Sequence, residues 1–344
     1  MVVQAIPELT RRPPAWLEAV LGTELPTTGE FEVQDRRFTM RDGIPREIVR
    51  LTPTQAQTAA VFQYLWERGT FRGVESRRVL RTWYVERYGD AANASWWDDY
   101  GPEPLLVDAG CGAGISAIEL FGDRLRNVRY LGVDVSSAVD RAAATMGERQ
   151  IPASFMQADI GTLPLAPGSV DVIYSQGVMH HTDSTSATFR HLASLLNVGG
   201  RFLFYVYRRK GPIREFTDDY VRQQLSTMTL DESWNALMSL TRLGQQLGQL
   251  DVALDVPDDV PLLGISAGSV PVQRFFYWNI AKAFYHPDLT LDEMNHINLD
   301  WYAPANAHRH SVEEVREWCE DTGLVVEHEN VQPAGITMIA RRRR

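Results

Sequence analysis

Cysteine is almost missing from this chain: Cys111 and Cys319 are the only two among 344 residues. That excludes a disulfide framework and a cysteine-based zinc site. No apolar run approaches the roughly 20 residues needed to cross a bilayer, so no membrane partner is expected. Positive charge is in deficit, with 34 Lys and Arg against 44 Asp and Glu and a net charge of −10. A general nucleic-acid binder gains its affinity by neutralising phosphates, so that class is disfavoured. Arg341, Arg342, Arg343 and Arg344 are a local exception and read as a solvated tail. The first residues, with Glu8, Arg11, Arg12 and two prolines close behind, lack the apolar core of a signal peptide. There is no internal repeat and no low-complexity tract. With 44% apolar residues the chain can bury a sizeable core, and it reads as a soluble cytoplasmic protein.

What is present centres on Leu105-Leu-Val-Asp-Ala-Gly-Cys-Gly-Ala-Gly114. A short apolar run ends in Asp108, glycines follow at 110, 112 and 114, and Ile115, Ile118, Phe121 and Leu125 then recur at helical spacing. The pattern is strand, glycine turn, helix. Glycine lacks Cβ and tolerates positive φ, so such a turn brings backbone close to a ligand. The ligand then lies over the carboxyl end of a strand, as in open α/β sheets. A nicotinamide site would show G-x-G-x-x-G; the spacing here is G-x-G-x-G.

Residues 1–50 read as a small separate unit. Trp16, Leu17, Val20 and Leu21 suit a short helix, 31–33 and 37–40 alternate like strands, and Asp42-Gly43 marks a turn. Residues 51–100 read as a helical cover, opened by Thr52 or Thr54 and carrying Phe62, Trp66, Trp83, Tyr84 and Tyr88. Strands and helices then alternate, which predicts a parallel α/β sheet. Strand 130–135 contains Asp134, strand 154–160 reaches Asp159, and strand 170–175 leads into Gln176-Gly-Val-Met-His-His181. A helix with Phe189, Leu192, Ala193 and Leu196 stops at Gly199-Gly200, and Arg201–Tyr207 is the fifth strand.

These motifs, in this order, resemble class I S-adenosylmethionine-dependent methyltransferases of the small-molecule kind: D-x-G-x-G-x-G, G-V-D-x-S, A-D, and a fourth strand running into H-H. The likeness covers about residues 100–207 and resumes near 308. It implies a Rossmann-like, seven-stranded, mostly parallel sheet with helices on both faces and an antiparallel last strand. A core of 101–207 and 308–344 would be interrupted by a largely helical insertion, 208–307. It implies S-adenosyl-L-methionine as cofactor, held by Asp108, Gly110, Gly112, Asp134, Val135, Asp159, Ile160, Ser175 and Gln176. Asp134 would accept from the ribose hydroxyls, Asp159 from the adenine amino group, with Ile160 on the ring. Residues 1–50 loosely resemble a zinc ribbon whose cysteines are replaced, so no metal is expected.

His180 and His181 are the catalytic candidates, either as a general base for an O–H or N–H acceptor or as pocket-lining residues of the fold. The insertion reads as a substrate lid or as a homodimer interface. Pro212 suits a first helical position ahead of an apolar stripe of Ile213, Phe216, Tyr220 and Leu225; Asp231 suits a second helix cap; 256–272 reads as loop. Tyr207, Tyr277, Trp301, Tyr302, Asn306 and His308 are the acceptor-pocket candidates. Ser311-Val-Glu-Glu314 is a capping box, and 324–331 and 336–340 are the closing strands. The expected activity is methyl transfer to a small molecule, in specialised metabolism. Two alternatives stand beside it: other S-adenosylmethionine chemistry (aminocarboxypropyl transfer or cyclisation), and a non-catalytic partner with this fold.

Overall fold

The computed structural model describes residues 13–71 and 73–343; Glu8, Arg11, Arg12 and Arg344 lie outside them. Helix α1 (Ala15–Leu21) leads into an antiparallel meander of β1 (Gly29–Val33), β2 (Arg36–Arg41) and β3 (Ile44–Glu47). Asp42 and Gly43 make its second turn, both at positive φ. The meander is not set apart from the rest. Leu17, Leu21, Leu25, Phe38 and Met40 share one apolar core with the central strands, and Arg46 on β3 pairs with Gln157 of the central sheet. The zinc-ribbon resemblance finds no support in it.

Helices α2 (Pro53–Arg68) and α3 (Val74–Tyr88) follow. Thr52 is the cap of α2, its side chain accepting from Gln55 N. The core then runs β4 (Leu105–Ala109), α4 (Ile115–Phe121), β5 (Arg129–Asp134), α5 (Ala138–Glu148), β6 (Ala153–Gln157), β7 (Val170–Gln176), α6 (Thr185–Leu195) and β8 (Leu196–Tyr207). Strands β6, β5, β4, β7 and β8 lie side by side in that order, all parallel. The chain leaves β4 on one side and returns on the other, so β4 sits where the strand order reverses and ligands of such sheets bind. Every residue of β4 is buried, which is why its sequence is apolar apart from Asp108. Helix α6 stops at Leu195, before the glycines at 199 and 200, because β7 captures the chain early: Val170 pairs with Leu196. Strand β8 is therefore twelve residues long, starting upstream of the expected Arg201.

The insertion comprises α7 (Pro212–Leu225), α8 (Leu230–Gln249), a hairpin of β9 (Ala253–Val256) and β10 (Gly268–Pro271), α9 (Val272–Asn279) and α10 (Leu291–Tyr302). Three expectations need correction here. Strand β10 pairs back on β9, so 256–272 is not loop throughout. Thr229 caps α8 in a capping box with Glu232, while Asp231 accepts a hydrogen bond from the Tyr64 hydroxyl at 2.7 Å. Most consequentially, α7 is turned the other way. Arg214, Asp218 and Leu225 are buried, whereas Phe216 and Tyr220 are exposed. Arg214 and Asp218 satisfy each other across one helical turn, so the polar pair can face inward at the apolar residues' expense.

Helix α11 (Val312–Asp321) opens with the Ser311–Glu314 capping box. Strands β11 (Leu324–Val331) and β12 (Gly335–Arg342) close the sheet, with β12 antiparallel to β8. The seven expected strands are present, and β1–β3 extend the sheet to ten. Arg341 and Arg342 are not tail: both belong to β12, where Arg341 donates to Glu327 and Arg342 to the Leu196 carbonyl. Among the described residues no helix is long and apolar enough to cross a membrane.

Candidate active site

A cavity of about 460 Å³ lies over the carboxyl ends of β4, β5 and β7. The glycine turn forms one wall, α2 and α3 cover it, and α9 and α10 of the insertion close the far side. Gly110, Gly112 and Gly114 all have positive φ. The turn is tied to β5: Gly110 N and Cys111 N donate to the Val133 carbonyl at 2.7 and 2.9 Å, and Gly112 N donates to Asp134 Oδ2 at 3.0 Å. A Cβ on Gly112 would stand 2.6 Å from the Trp66 ring, and one on Gly110 would overlap Val178. Gly112→Ala is therefore expected to cost about 1–2 kcal/mol from the left-handed backbone alone, read as a lower urea midpoint with an unchanged slope.

Asp134, Val135, Asp159, Ile160 and Gln176 line the cavity with Gly110 and Gly112. Asp134 Oδ1 accepts from Ser136 N at 2.9 Å and Ser136 Oγ at 2.6 Å. Burial raises its carboxyl, opposed by the Ser136 and Gly112 bonds. With three of about four lone-pair sites used, it can still accept from a ligand. Asp159 Oδ1 accepts from Gly161 N at 2.8 Å, which leaves its other oxygen for the cavity. Carboxylates on adjacent strand ends, beside two turn glycines that lack Cβ atoms, fit the ribose and adenine of an adenosyl group. Gln176 is held by the Tyr88 hydroxyl, which donates to its Oε1 at 2.8 Å.

Two expected cofactor residues do not reach the cavity. Asp108 lies beneath the turn, where the Tyr130 hydroxyl donates to its Oδ2 at 2.6 Å. Its other oxygen has no hydrogen-bond partner among the described residues, and burial pushes its carboxyl up to about 7. Ser175 is fully buried and donates to the Ala109 carbonyl at 2.9 Å, tying β7 to β4.

The two histidines separate cleanly. His180 is buried without a partner for either ring nitrogen among the described residues and stacks on Tyr207 at 3.6 Å; it does not line the cavity, which takes it out of reach of an acceptor there. His181 does line it. Its Nδ1 is 2.7 Å from the Asn306 carbonyl, which can only accept, so Nδ1 carries the proton. Nε2 then presents a lone pair, without a hydrogen-bond partner among the described residues and 3.8 Å from Asp300 Oδ1. Burial holds the ring neutral, with its pKa lowered to about 3.

Of the acceptor-pocket candidates, Tyr207, Tyr277 and Trp301 line the cavity. Tyr302, Asn306 and His308 do not, because each is spent on the fold. Tyr302 OH accepts from Lys282 N at 2.7 Å. Asn306 offers its carbonyl to His181 and donates from Nδ2 to Asp183 at 2.8 Å. His308 Nε2 bonds the Thr182 carbonyl at 3.0 Å. The residues that sequence reading missed are Lys210, Arg214, Lys282 and Asp300, all on the cavity wall. A signal for two of them was available: Lys210 and Lys282 are the only lysines in the chain, within a Lys and Arg total of 34.

Residues 107–204 match a family model described as a methyltransferase domain. The chain is 32% identical over 156 residues to phosphoethanolamine N-methyltransferase 1 of Triticum aestivum, spanning 43% of this chain and 30% of that protein. It is 31% identical over 101 residues to a malonyl-[acyl-carrier protein] O-methyltransferase of Legionella pneumophila, spanning 29% of this chain and 34% of the other. It thus covers about a third of the length of these curated relatives. Among solved structures, magnesium protoporphyrin IX methyltransferase from Synechocystis is 16% identical, with 84% of this chain and 97% of that one aligned at a TM-score of 0.44. The strand, glycine turn and parallel sheet that build one wall of the cavity are the part of the chain, residues 107–204, that matches the methyltransferase-domain model.

Proposed function

We propose that this chain transfers a methyl group from S-adenosyl-L-methionine to a small-molecule acceptor enclosed beneath the insertion. The observation that carries the reading is the single cavity joining the Gly110–Gly112 turn, Asp134 and Asp159 to the aromatic wall of Tyr207, Tyr277 and Trp301. Asp134 would accept from a ribose hydroxyl through its remaining lone-pair site and Asp159 from the adenine amino group, with Val135 and Ile160 against the base. When bound, the cofactor supplies a methyl group made electrophilic by its positively charged sulfur. The insertion excludes water and fixes the acceptor in line for displacement, and such positioning is commonly the largest part of the rate.

His181 gives the acceptor its orientation. Its Nε2 lone pair receives a hydrogen bond from the acceptor's hydroxyl or amine, with the Asp300 carboxylate beside it. A ring with a pKa near 3 is a weak base at neutral pH, so its work is alignment rather than full proton removal. His181→Ala is expected to lower kcat on the order of tenfold or more while the affinity for S-adenosylhomocysteine stays constant. The His181 ring itself adds no rising limb between pH 5 and 8, since it stays neutral throughout. A loss below about threefold would leave the residue a structural role only.

Calorimetry tests the cofactor directly: S-adenosylhomocysteine should bind with micromolar affinity, and no heat at millimolar concentration overturns the reading. Turnover in the presence of acceptor should release S-adenosylhomocysteine. Release of 5′-methylthioadenosine instead would replace methyl transfer by transfer of the aminocarboxypropyl group.

A further inference from the structure

Four cationic side chains surround one indole at the acceptor end of the cavity. The ammonium nitrogens of Lys210 and Lys282 lie 5.0 and 4.8 Å from the Trp301 ring centroid, and the guanidinium carbons of Arg214 and Arg222 each lie 5.4 Å from it. The carboxylates that act on this group are Asp218 and Asp300, with Glu215 near Lys210 and Asp219 near Arg222. Asp218 is consumed, accepting from Arg214 Nε at 2.8 Å and Trp301 Nε1 at 2.9 Å. Asp300 accepts from the Tyr207 hydroxyl at 3.2 Å.

The cations are not equally satisfied. Arg214 also donates to the Tyr277 carbonyl, and Arg222 donates to the Trp301 carbonyl at 2.6 Å. Lys210 donates to the carbonyls of Arg208 and Ala334 and keeps one proton spare. Lys282 is 6% exposed and lines the cavity, yet its ammonium has no hydrogen-bond or carboxylate partner among the described residues. Buried positive charge without a matching anion is costly and is normally compensated by a partner. These are also the chain's only two lysines. Their shared place is hard to ascribe to solubility or surface charge.

We propose that the acceptor is a small acid whose carboxylate or phosphate docks between Lys282 and Lys210 against Trp301, with its nucleophilic end at His181 and Asp300. This rests on the methyltransferase reading of the same cavity. The apolar walls from Phe62, Trp66, Trp83, Tyr277 and Phe284 suit an aromatic or otherwise flat body between the two ends. Anion binding here is linked to protonation. Burial pulls the Lys282 amine down to about 7, with Asp300 and Asp218 raising it and Arg214 and Arg222 lowering it. Burial lowers the Lys210 amine as well; the acid binds the charged amines, so its affinity falls as pH rises above about 7, by up to tenfold per unit from Lys282 alone.

The test compares acids with neutral partners of similar shape by calorimetry: benzoate with benzamide, indole-3-acetate with indole-3-acetamide, and phenyl phosphate with phenol. In wild type at pH 6.5, at least one acid should bind tenfold or more tightly than its neutral partner. The phenyl phosphate arm separates phosphate from carboxylate recognition. Lys282→Met should bring that pair level, Lys282→Arg should keep the preference, and Lys210→Met should weaken it. S-adenosylhomocysteine affinity should be unchanged in all three variants. The proposal is overturned if no acid binds, if the neutral partners bind as tightly, or if Lys282→Met keeps the preference. Binding of S-adenosylhomocysteine is measured separately, so failure of the cofactor reading is distinguishable from failure of the clamp. Thermal unfolding of each variant separates a lost site from a lost fold.

Discussion

Asp218→Ala is expected to destabilise the chain by about 3–5 kcal/mol, the range for removing one partner of a buried ion pair. Asp218 is fully buried, and Arg214 is 1% exposed. The substitution would strand the Arg214 guanidinium in the interior, remove the acceptor for Trp301 Nε1, and leave the cations around Trp301 one carboxylate poorer. The mechanism is the unpaired charge rather than lost attraction, so Asp218→Asn, which keeps an acceptor oxygen, should cost less. The comparison on the same helix is Phe216→Ser. Phe216 is 76% exposed, and its replacement should stay within about 0.5 kcal/mol, as surface changes usually do. Urea unfolding reads both. If Asp218→Ala proves neutral, or Phe216→Ser proves the more damaging, the inward polar face of α7 is wrong.

Asp134→Ala is expected to weaken S-adenosylmethionine binding on the order of a hundredfold, about 3 kcal/mol. Hydrogen bonds to a charged group are worth up to about 3 kcal/mol, and the carboxylate would lose the one that its free lone-pair site makes to the ribose. It would also release the Gly112 amide and Ser136, which it now holds, so the glycine turn would loosen. Asp134→Asn retains an acceptor and should fall between wild type and Asp134→Ala. Calorimetry with S-adenosylhomocysteine is the measurement. Affinity unchanged in Asp134→Ala would remove the ribose assignment and reopen how the turn meets its ligand.

The strand, turn and helix at 105–121 were legible because each signal was local. A fully buried central strand must be apolar on both faces, and a backbone at positive φ needs glycine. The capping box at Ser311 was legible for the same reason, being a bond between residues three apart. The His180–His181 pair was legible only as a pair. Adjacent residues on one short turn point in different directions, and the Asn306 carbonyl, 125 residues away, decides which ring nitrogen carries the proton. Tyr302, Asn306 and His308 resembled pocket residues by type, but long-range bonds to Lys282, Asp183 and Thr182 commit them to the fold.

Helix α7 marks the limit of periodicity. Ile213, Phe216 and Tyr220 have the spacing of a buried stripe, and an isolated reading buries them. Two charges on the opposite face cancel each other and meet Trp301, and that tertiary pairing outweighs the stripe. By itself, the order of residues determined the parallel α/β core, the glycine turn with its acidic strand ends, and the place of the insertion, since these depend on neighbours a few residues apart. Only the tertiary structure decided which histidine faces the cavity, and which face of α7 is buried. It alone brought Lys210, Arg214, Lys282 and Asp300 to one cavity wall. The Arg214–Asp218 pair is local, but the groups that bury it, Tyr277 and Trp301, lie more than 60 residues along the chain, and no local pattern records them.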